Sequence, residues 1–419
     1  MIAFSCYSTP DDISGVSSWL SGLITSLRNE NIPVAINLHH IGKDPAEGTF
    51  RNQAEKLGVN VTGIIMPECT EVSVEDTIAF LNRTRPKVFC PQALPPPHFA
   101  GRILEASGLP WIFTLHSDDP VYWALAEHTA PDAANGVWVA VSKAIAEQAS
   151  QSFPRADIRV IPCGVDVPEE RAIWNETEFR VVYSGRLVEE QKRVSRVLEA
   201  LILACHGSPW VAGVIVGDGP EKLALMDKVK LEGLSDRIRF TGRLEHAEVK
   251  AELLQSQAMI MMSDYEGLPV ALLEGMACGL VPIVMSIRSG IPEIVLPGET
   301  GVLFEGGPAE AASEIIRMAG RKAVWQKLSG NSRSLVISHY SAKDCLAKWH
   351  ALFCELVERS KVIYPIEVPA SFHLPPLDSR LVGVDRRRLG FWGRVIGSSG
   401  RKLRRLGSFA KSTLKPVLG

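Results

Sequence analysis

The 419-residue chain has no uninterrupted apolar stretch near the ~18 residues that a membrane-spanning helix needs, so no segment of it reads as a span. It has no Cys-x-x-Cys pair and no Cys/His ligand spacing, although it carries eight cysteines, at positions 6, 69, 90, 163, 205, 278, 345 and 354. That excludes a zinc module or a disulfide scaffold; most of these cysteines lie in apolar runs and read as buried thiols in a reducing compartment. The opening M-I-A-F-S-C-Y-S-T-P lacks a basic region and reads as a first strand rather than a secretory leader. The sequons at Asn60, Asn82 and Asn175 therefore carry little weight, and the expected location is the cytoplasm.

Net charge is also nearly absent, at −2, but the balance is uneven along the chain. From Arg380 onward there are 11 Lys/Arg against one acid, Asp385, so this tail is +10 and residues 1–379 carry −12. The tail interleaves Phe391, Trp392, Val395, Ile396, Leu403, Leu406 and Phe409 with arginines, a mixture that suits an anionic lipid surface. Five glycines between positions 390 and 407 weaken any helix there, so a disordered basic segment is the alternative. No recognised nucleic-acid-binding module accompanies the charge, and no nucleic-acid partner is expected.

What the chain has in quantity is short apolar runs alternating with helical patterns up to about residue 360, the signature of parallel α/β units. Strands are expected near 2–7, 33–38, 61–66, 87–90, 110–115 and 136–141, then near 180–184, 211–216, 237–241, 258–262 and 280–285. Helices are expected over Val16 to Asn29, Ala144 to Gln151, Val194 to Leu203, Pro308 to Ser338 and Ala342 to Arg359. The turn-rich I-P-C-G-V-D-V-P-E-E (161–170) marks a boundary between two doubly wound domains, 1–168 and 169–341, with a ligand cleft between them. After Ser360 the pattern breaks into a Pro-rich linker, so 361–419 reads as linker and tail.

The densest chemistry lies in D-Y-E-G-L-P-V-A-L-L-E, Asp264 to Glu274, which follows an apolar strand and opens a helix with Pro269 in its first turn. Glu266 sits in the loop at the strand mouth, with Gly267 and Leu268 beside it. Glu274 sits among Leu272, Leu273, Met276 and Ala277, where an unpartnered carboxylate would be costly to bury. An ionised carboxylate can accept two O–H donors at once, as a ribose offers; a solvated helix glutamate is the alternative.

Upstream, Y-S-G-R-L-V-E-E-Q-K-R places Arg186 just past a strand end and Lys192 before the next helix, with Arg193 as a neighbouring alternative. A fixed guanidinium and an ammonium aimed at a departing diphosphate would stabilise its developing charge without a metal ion; a pair of surface cations is the bland reading. Gly15 precedes a helix after the first strand, where backbone N–H groups and the helix terminus favour an anion. Ser289 and Gly290 occupy another strand-end loop that could hold a sugar or phosphate through backbone N–H groups. Glu293, next to them, reads equally as structural or functional.

The two glutamates, the Gly-x-Pro between them and the M-A-C-G-L-V-P-I-V that follows resemble the signature of retaining glycosyltransferases of family 4. The resemblance implies the GT-B fold: two Rossmann-like domains facing across a cleft, with the helix at 342–360 packing back on the first. It implies Arg186 and Lys192 on the diphosphate, Glu266 on the donor sugar, Glu274 on the ribose and Gly15 approaching the phosphates, where Ser14 stands in place of a second glycine. Gly217, in a Gly-Asp-Gly-Pro turn, would shape the nucleotide-side wall and Arg243 the base pocket. His116, in W-I-F-T-L-H, would reach the sugar from the first domain, and Ser142 and Lys143 match a further family element.

The implied activity is sugar transfer, with retention, from a nucleotide-diphosphate sugar to a hydroxyl of a glycan or lipid-linked glycan, needing no cofactor or metal. A protein peripheral to the membrane's cytoplasmic face would fit the basic tail. A glycosidase is a poor fit: eight residues of helix separate Glu266 and Glu274 by roughly 12 Å at most, against the about 5–9.5 Å that hydrolase pairs need. A non-catalytic nucleotide-sugar-binding protein and a nucleotide-sugar epimerase of this fold remain as alternatives.

Overall fold

Most strands of the computed structural model are apolar runs covered on both faces, which is what an all-parallel sheet between helices requires. The structure describes residues 1–8, 15–40, 49–65, 69–92, 95–129, 136–381 and 385. Among these, the first sheet comprises β1 (Ile2–Ser8), β2 (Val34–His40), β3 (Asn60–Ile65), β4 (Val88–Pro91), β5 (Trp111–Leu115), β6 (Gly136–Ala140) and β7 (Asp157–Val160). The second comprises β8 (Phe179–Ser184), β9 (Val211–Val216), β10 (Ile238–Gly242), β11 (Ala258–Met261), β12 (Val281–Met285) and β13 (Val302–Phe304). β5 and β6 are buried along their whole length, as are β9 and β11.

The helices among the described residues are α1 (Gly15–Asn29), α2 (Thr49–Lys56), α3 (Thr70–Thr84), α4 (Pro95–Ser107), α5 (Pro120–Thr129), α6 (Lys143–Ser152) and α7 (Val194–Gly207). They continue with α8 (Lys222–Leu231), α9 (His246–Leu254), α10 (Val270–Ala277), α11 (Ile291–Ile294), α12 (Pro308–Ala319), α13 (Lys322–His339) and α14 (Ala342–Arg359). The single helix expected over 308–338 is two, broken at Gly320 and Arg321, where α12 ends and α13 begins. Strands β7 and β13 have no counterpart in the pattern read from the sequence.

Both sheets are wound the same way. The strand orders are β3-β2-β1-β4-β5-β6-β7 and β10-β9-β8-β11-β12-β13. In each, the chain runs outward from one central strand and returns to start again beside it, so the order reverses between β1 and β4 and between β8 and β11. Ligands of open α/β sheets bind outside the carboxyl ends of the strands at such a reversal. The first reversal is flanked by Ser8 and Pro91, the second by Ser184 and Met261.

Two crossings join the halves side by side. Val165 donates its N–H to Tyr340 and accepts one from Ala342, at 3.0 and 2.8 Å. The Arg333 guanidinium clamps the same linker, donating to the carbonyls of Pro168, Glu169, Glu170 and Ala277. α14 then packs on the first sheet's side: Trp349 meets Trp19 of α1 with centroids 5.1 Å apart, and Phe353 meets Phe4 edge-on at 6.0 Å. Beyond α14 the Pro-rich stretch lies along the first domain as a strap. Ile366 exchanges hydrogen bonds with the Asn82 side chain, Arg380 forks onto Glu127 and Asp378, and Thr70 donates to Asp385 at 2.7 Å. The basic stretch from Arg386 onward lies outside the described residues.

All eight cysteines are unpaired thiols, seven of them buried, with Cys354 exposed. No helix among the described residues is long and apolar enough to cross a membrane.

Candidate active site at the paired sheet reversals

The β8–α7 loop and the β11–α10 loop leave the second sheet at adjacent strands, and they are tied to one another. Lys192 Nζ lies 2.6 Å from Glu266 Oε1, with side chains only 16% and 7% exposed. A pair this enclosed is held in one geometry, and removing either partner leaves an unneutralised charge that typically costs about 3–5 kcal/mol. Lys192 reaches inward because its two neighbours take up left-handed backbone, Gln191 at φ 75° and Arg193 at φ 49°. Such residues cost of order 1–3 kcal/mol each and persist only where the surroundings impose them.

Here the surroundings do impose them. The Gln191 carbonyl accepts from Asp264 N at 2.8 Å, and its side-chain amide donates to the Tyr265 carbonyl at 3.3 Å. Arg193 turns outward onto the Asp264 carboxylate, so Lys192 and not Arg193 faces Glu266. Arg186 is exposed just past the carboxyl end of β8, donating to the Gln191 side-chain oxygen at 3.1 Å, while Tyr183 Oη donates to the Arg186 carbonyl at 2.9 Å and fixes its backbone. The two cations and Glu266 are therefore carried on one cross-braced pair of loops.

The Gly-Asp-Gly-Pro turn is locked to the same loop. Gly185 N donates to Val216, and Leu187 N to Asp218, at 3.0 and 2.9 Å. Gly217 sits at φ +135°, and a Cβ there would lie 1.9 Å from the Gly185 carbonyl oxygen, so only glycine permits the approach. Gly267 plays the equivalent part between the domains: a Cβ on it would stand 2.0 Å from the His116 carbonyl oxygen. That contact brings the residue after Glu266 against the mouth of β5. Gly290 completes the junction, its N–H donating to the Gly267 carbonyl at 2.7 Å and its α-carbon facing Ser142. Leu268 and Ser289 are buried beside it, Ser289 accepting from Ile291 N at 3.1 Å.

Glu293 settles into a structural part. Its carboxylate accepts from the backbone N–H groups of Lys143 and Ala144, at 3.1 and 2.9 Å, while Ser142 Oγ accepts from Ile145. An acid from the second domain thus caps α6 of the first, satisfying N-terminal donors where negative charge is favoured. Glu293→Ala is expected to remove about 1–2 kcal/mol and lower the melting temperature by about 1–2 °C. Calorimetry checks this; an unchanged transition would mean the cap contributes nothing.

Glu274 lies on α10, 22% exposed, with His246 Nδ1 of α9 at 3.8 Å. Burial lifts its carboxyl above the usual carboxylate range, His246 opposing and Asp166 of the linker adding to the rise. Arg243 is exposed on the β10–α9 connection, three residues before His246. Gly15 is the first residue of α1, and the loop before it, 9–14, lies outside the described residues.

His116 is placed by a residue that no motif in the chain marks out. Gln92, directly after β4 and 1% exposed, has its side-chain oxygen 2.7 Å from His116 Nε2. Trp19 packs edge-on to the imidazole at 5.0 Å. Burial, with the charge of His98 adding to it, pushes the His116 pKa down to about 3, so the ring is neutral near pH 7.

Two family models match, "Glycosyltransferase Family 4" over residues 73–169 and "Glycosyl transferases group 1" over 166–322. Their junction falls on the linker that Arg333 clamps. The N-acetyl-alpha-D-glucosaminyl L-malate synthase of Bacillus anthracis is 29% identical over 150 residues, covering 35% of this chain and 38% of that protein's own length. Among solved structures, Anabaena HepE in complex with UDP and glucose superposes with a TM-score of 0.68 at 18% identity, covering 84% of this chain and 99% of that one. The pneumococcal O-GlcNAc transferase GtfA in complex with UDP and GlcNAc reaches 0.70 at 13% identity, covering 85% and 99%. The fold is GT-B. The chain belongs to the GT-B glycosyltransferases, of the family 4 kind.

Proposed function

We propose that the protein transfers a sugar from a nucleotide-diphosphate donor to an acceptor hydroxyl, with retention at the anomeric carbon. The observation that carries this reading is the enclosed Lys192–Glu266 pair at the second sheet's reversal, joined through Gly267 to His116 of the first domain. Without ligand, Lys192 is neutralised by Glu266. A diphosphate entering beside Arg186 would share the ammonium and leave the carboxylate facing the sugar. The bond from the anomeric carbon to the β-phosphate oxygen breaks, the acceptor oxygen bonds to that carbon on the same face, and the acceptor proton passes to the departing phosphate.

Arg186 and Lys192 supply the positive charge at the leaving group, in the place a metal ion would otherwise take. Turnover is accordingly expected to survive chelation: assayed with and without EDTA, rates should agree within experimental scatter, and a large loss restored by a divalent cation would contradict the reading. The acceptor proposed is a glycan or lipid-linked glycan, met at a membrane whose anionic headgroups the +10 tail attracts. The enzyme test is direct: a panel of nucleotide-sugars, each assayed for donor cleavage and transfer. Cleavage of none of them would reject catalysis.

Glu274 is proposed to hold the ribose, with Gly15, Gly217 and Arg243 around the nucleotide and Gly267, Leu268, Ser289 and Gly290 around the sugar phosphate. A carboxyl whose folded pKa is raised adds stability below its unfolded pKa, and this is lost as pH rises through the folded value. At neutral pH, Glu274→Gln should therefore leave the unliganded protein as stable or more so. The donor KM should rise about 10- to 100-fold, as expected for losing a charged hydrogen bond. Equal KM in the two proteins would remove Glu274 from the ribose.

A further inference from the structure

We infer that Gln92 is a positioning residue that locks the His116 imidazole in its Nε2–H tautomer, so that Nδ1 presents a lone pair to a hydroxyl of the donor sugar. The inference rests on the glycosyltransferase reading for the identity of that hydroxyl, and on the hydrogen-bond network for the rest. The Gln92 amide nitrogen lies 3.2 Å from Thr114 Oγ1 and 3.1 Å from Cys90 Sγ, both on buried strands. Its carbonyl oxygen is left facing His116 Nε2 at 2.7 Å. An amide oxygen only accepts, so the ring nitrogen against it carries the proton, and the other ring nitrogen of a neutral imidazole is then an acceptor.

The backbone holds the amide in place as well. Gln92 N donates to Ser5 of β1 at 2.6 Å, bridging the strands that flank the first sheet's reversal. Gln92 also lines a small hollow with Tyr7, Val16, Leu20 and Phe50, so the residue stands between that hollow and the imidazole. Among the described residues Nε2 is the ring nitrogen with a hydrogen-bond partner, which leaves Nδ1 for a ligand. The His116 carbonyl is meanwhile pressed against Gly267, so the ring stands beside the Glu266 loop and reaches the donor from the opposite domain. A hydroxyl donating to Nδ1 would be selected over a hydrogen at the same carbon.

The test combines imidazole ¹⁵N NMR with donor kinetics on the full chain. Wild type should show His116 as the Nε2–H tautomer. Gln92→Leu should mix the tautomers and lower kcat/KM about 10-fold. Gln92→Glu, which keeps an accepting oxygen, should retain the Nε2–H tautomer and recover most of the rate. A wild-type Nδ1–H ring, or a tautomer unmoved in Gln92→Leu, would overturn the lock. If Gln92→Leu does not fold, Gln92→Glu and wild type still decide, because a Gln92→Glu ring protonated on Nδ1 alone is incompatible with it. The right tautomer in a protein that cleaves no nucleotide-sugar would count against the sugar contact through the failure of the enzyme reading.

Discussion

Lys192→Met should lower kcat by about 100- to 1,000-fold, the usual cost of removing one preorganised charge from a developing anion. It should also destabilise the protein by about 3–5 kcal/mol, because Glu266, 7% exposed on its side chain, is left without its counter-ion. The two effects separate in the double variant. Adding Glu266→Gln removes the stranded charge, so most of the lost stability should return while the rate stays low. Denaturant unfolding and single-turnover kinetics on the three variants decide the matter. If the double variant regained activity with its stability, the pair would be scaffolding and the diphosphate would lie elsewhere.

Arg186→Ala should lose a similar 100- to 1,000-fold in kcat with almost no change in stability. Its side chain is exposed, and the hydrogen bond it gives up is to Gln191, itself held by the Tyr265 carbonyl. Arg186→Lys should recover only part of the rate, since an ammonium cannot reproduce two parallel N–H donors to phosphate oxygens. A stability loss equal to that of Lys192→Met would mean that Arg186 belongs to the fold's framework. Full activity in Arg186→Ala would take it out of the diphosphate site.

The contrast between these residues shows what could be read from the chain before its structure. The strand-loop-helix grammar puts Arg186 and Glu266 at strand mouths, Lys192 before the next helix and Glu274 inside the helix that follows Glu266, because apolar runs and their turn residues declare themselves locally. Which cation would meet which carboxylate did not follow. That depends on left-handed backbone at Gln191 and Arg193, two residue types that carry no turn signature.

Strand β7, D-I-R-V, lies at a sheet edge with every residue half-buried or exposed, so no apolar run marked it. Strand β13 is three residues long. The split between α12 and α13 is hidden in the sequence because Gly320 and Arg321 interrupt a periodicity that otherwise continues. Gln92 and Glu293 were illegible as positioning and capping groups for a different reason. Each acts on a partner distant in sequence, His116 in one case and the start of α6 in the other, and spacing along the chain carries no trace of it. Prolines give the strap after α14 the composition of a linker, yet side chains such as Asn82, Glu127 and Thr70 hold it down.

Lys192 and Arg186 are proposed to grip the terminal phosphate of a nucleoside diphosphate beside Glu266. Phosphorus-31 NMR of a nucleoside diphosphate titrated with the protein tests it most directly. On binding, the β-phosphorus resonance should move more than the α, and the β shift should collapse in Lys192→Met while the nucleoside still binds. A nucleotide that bound with its β-phosphorus unmoved, or moved equally in both proteins, would contradict the account.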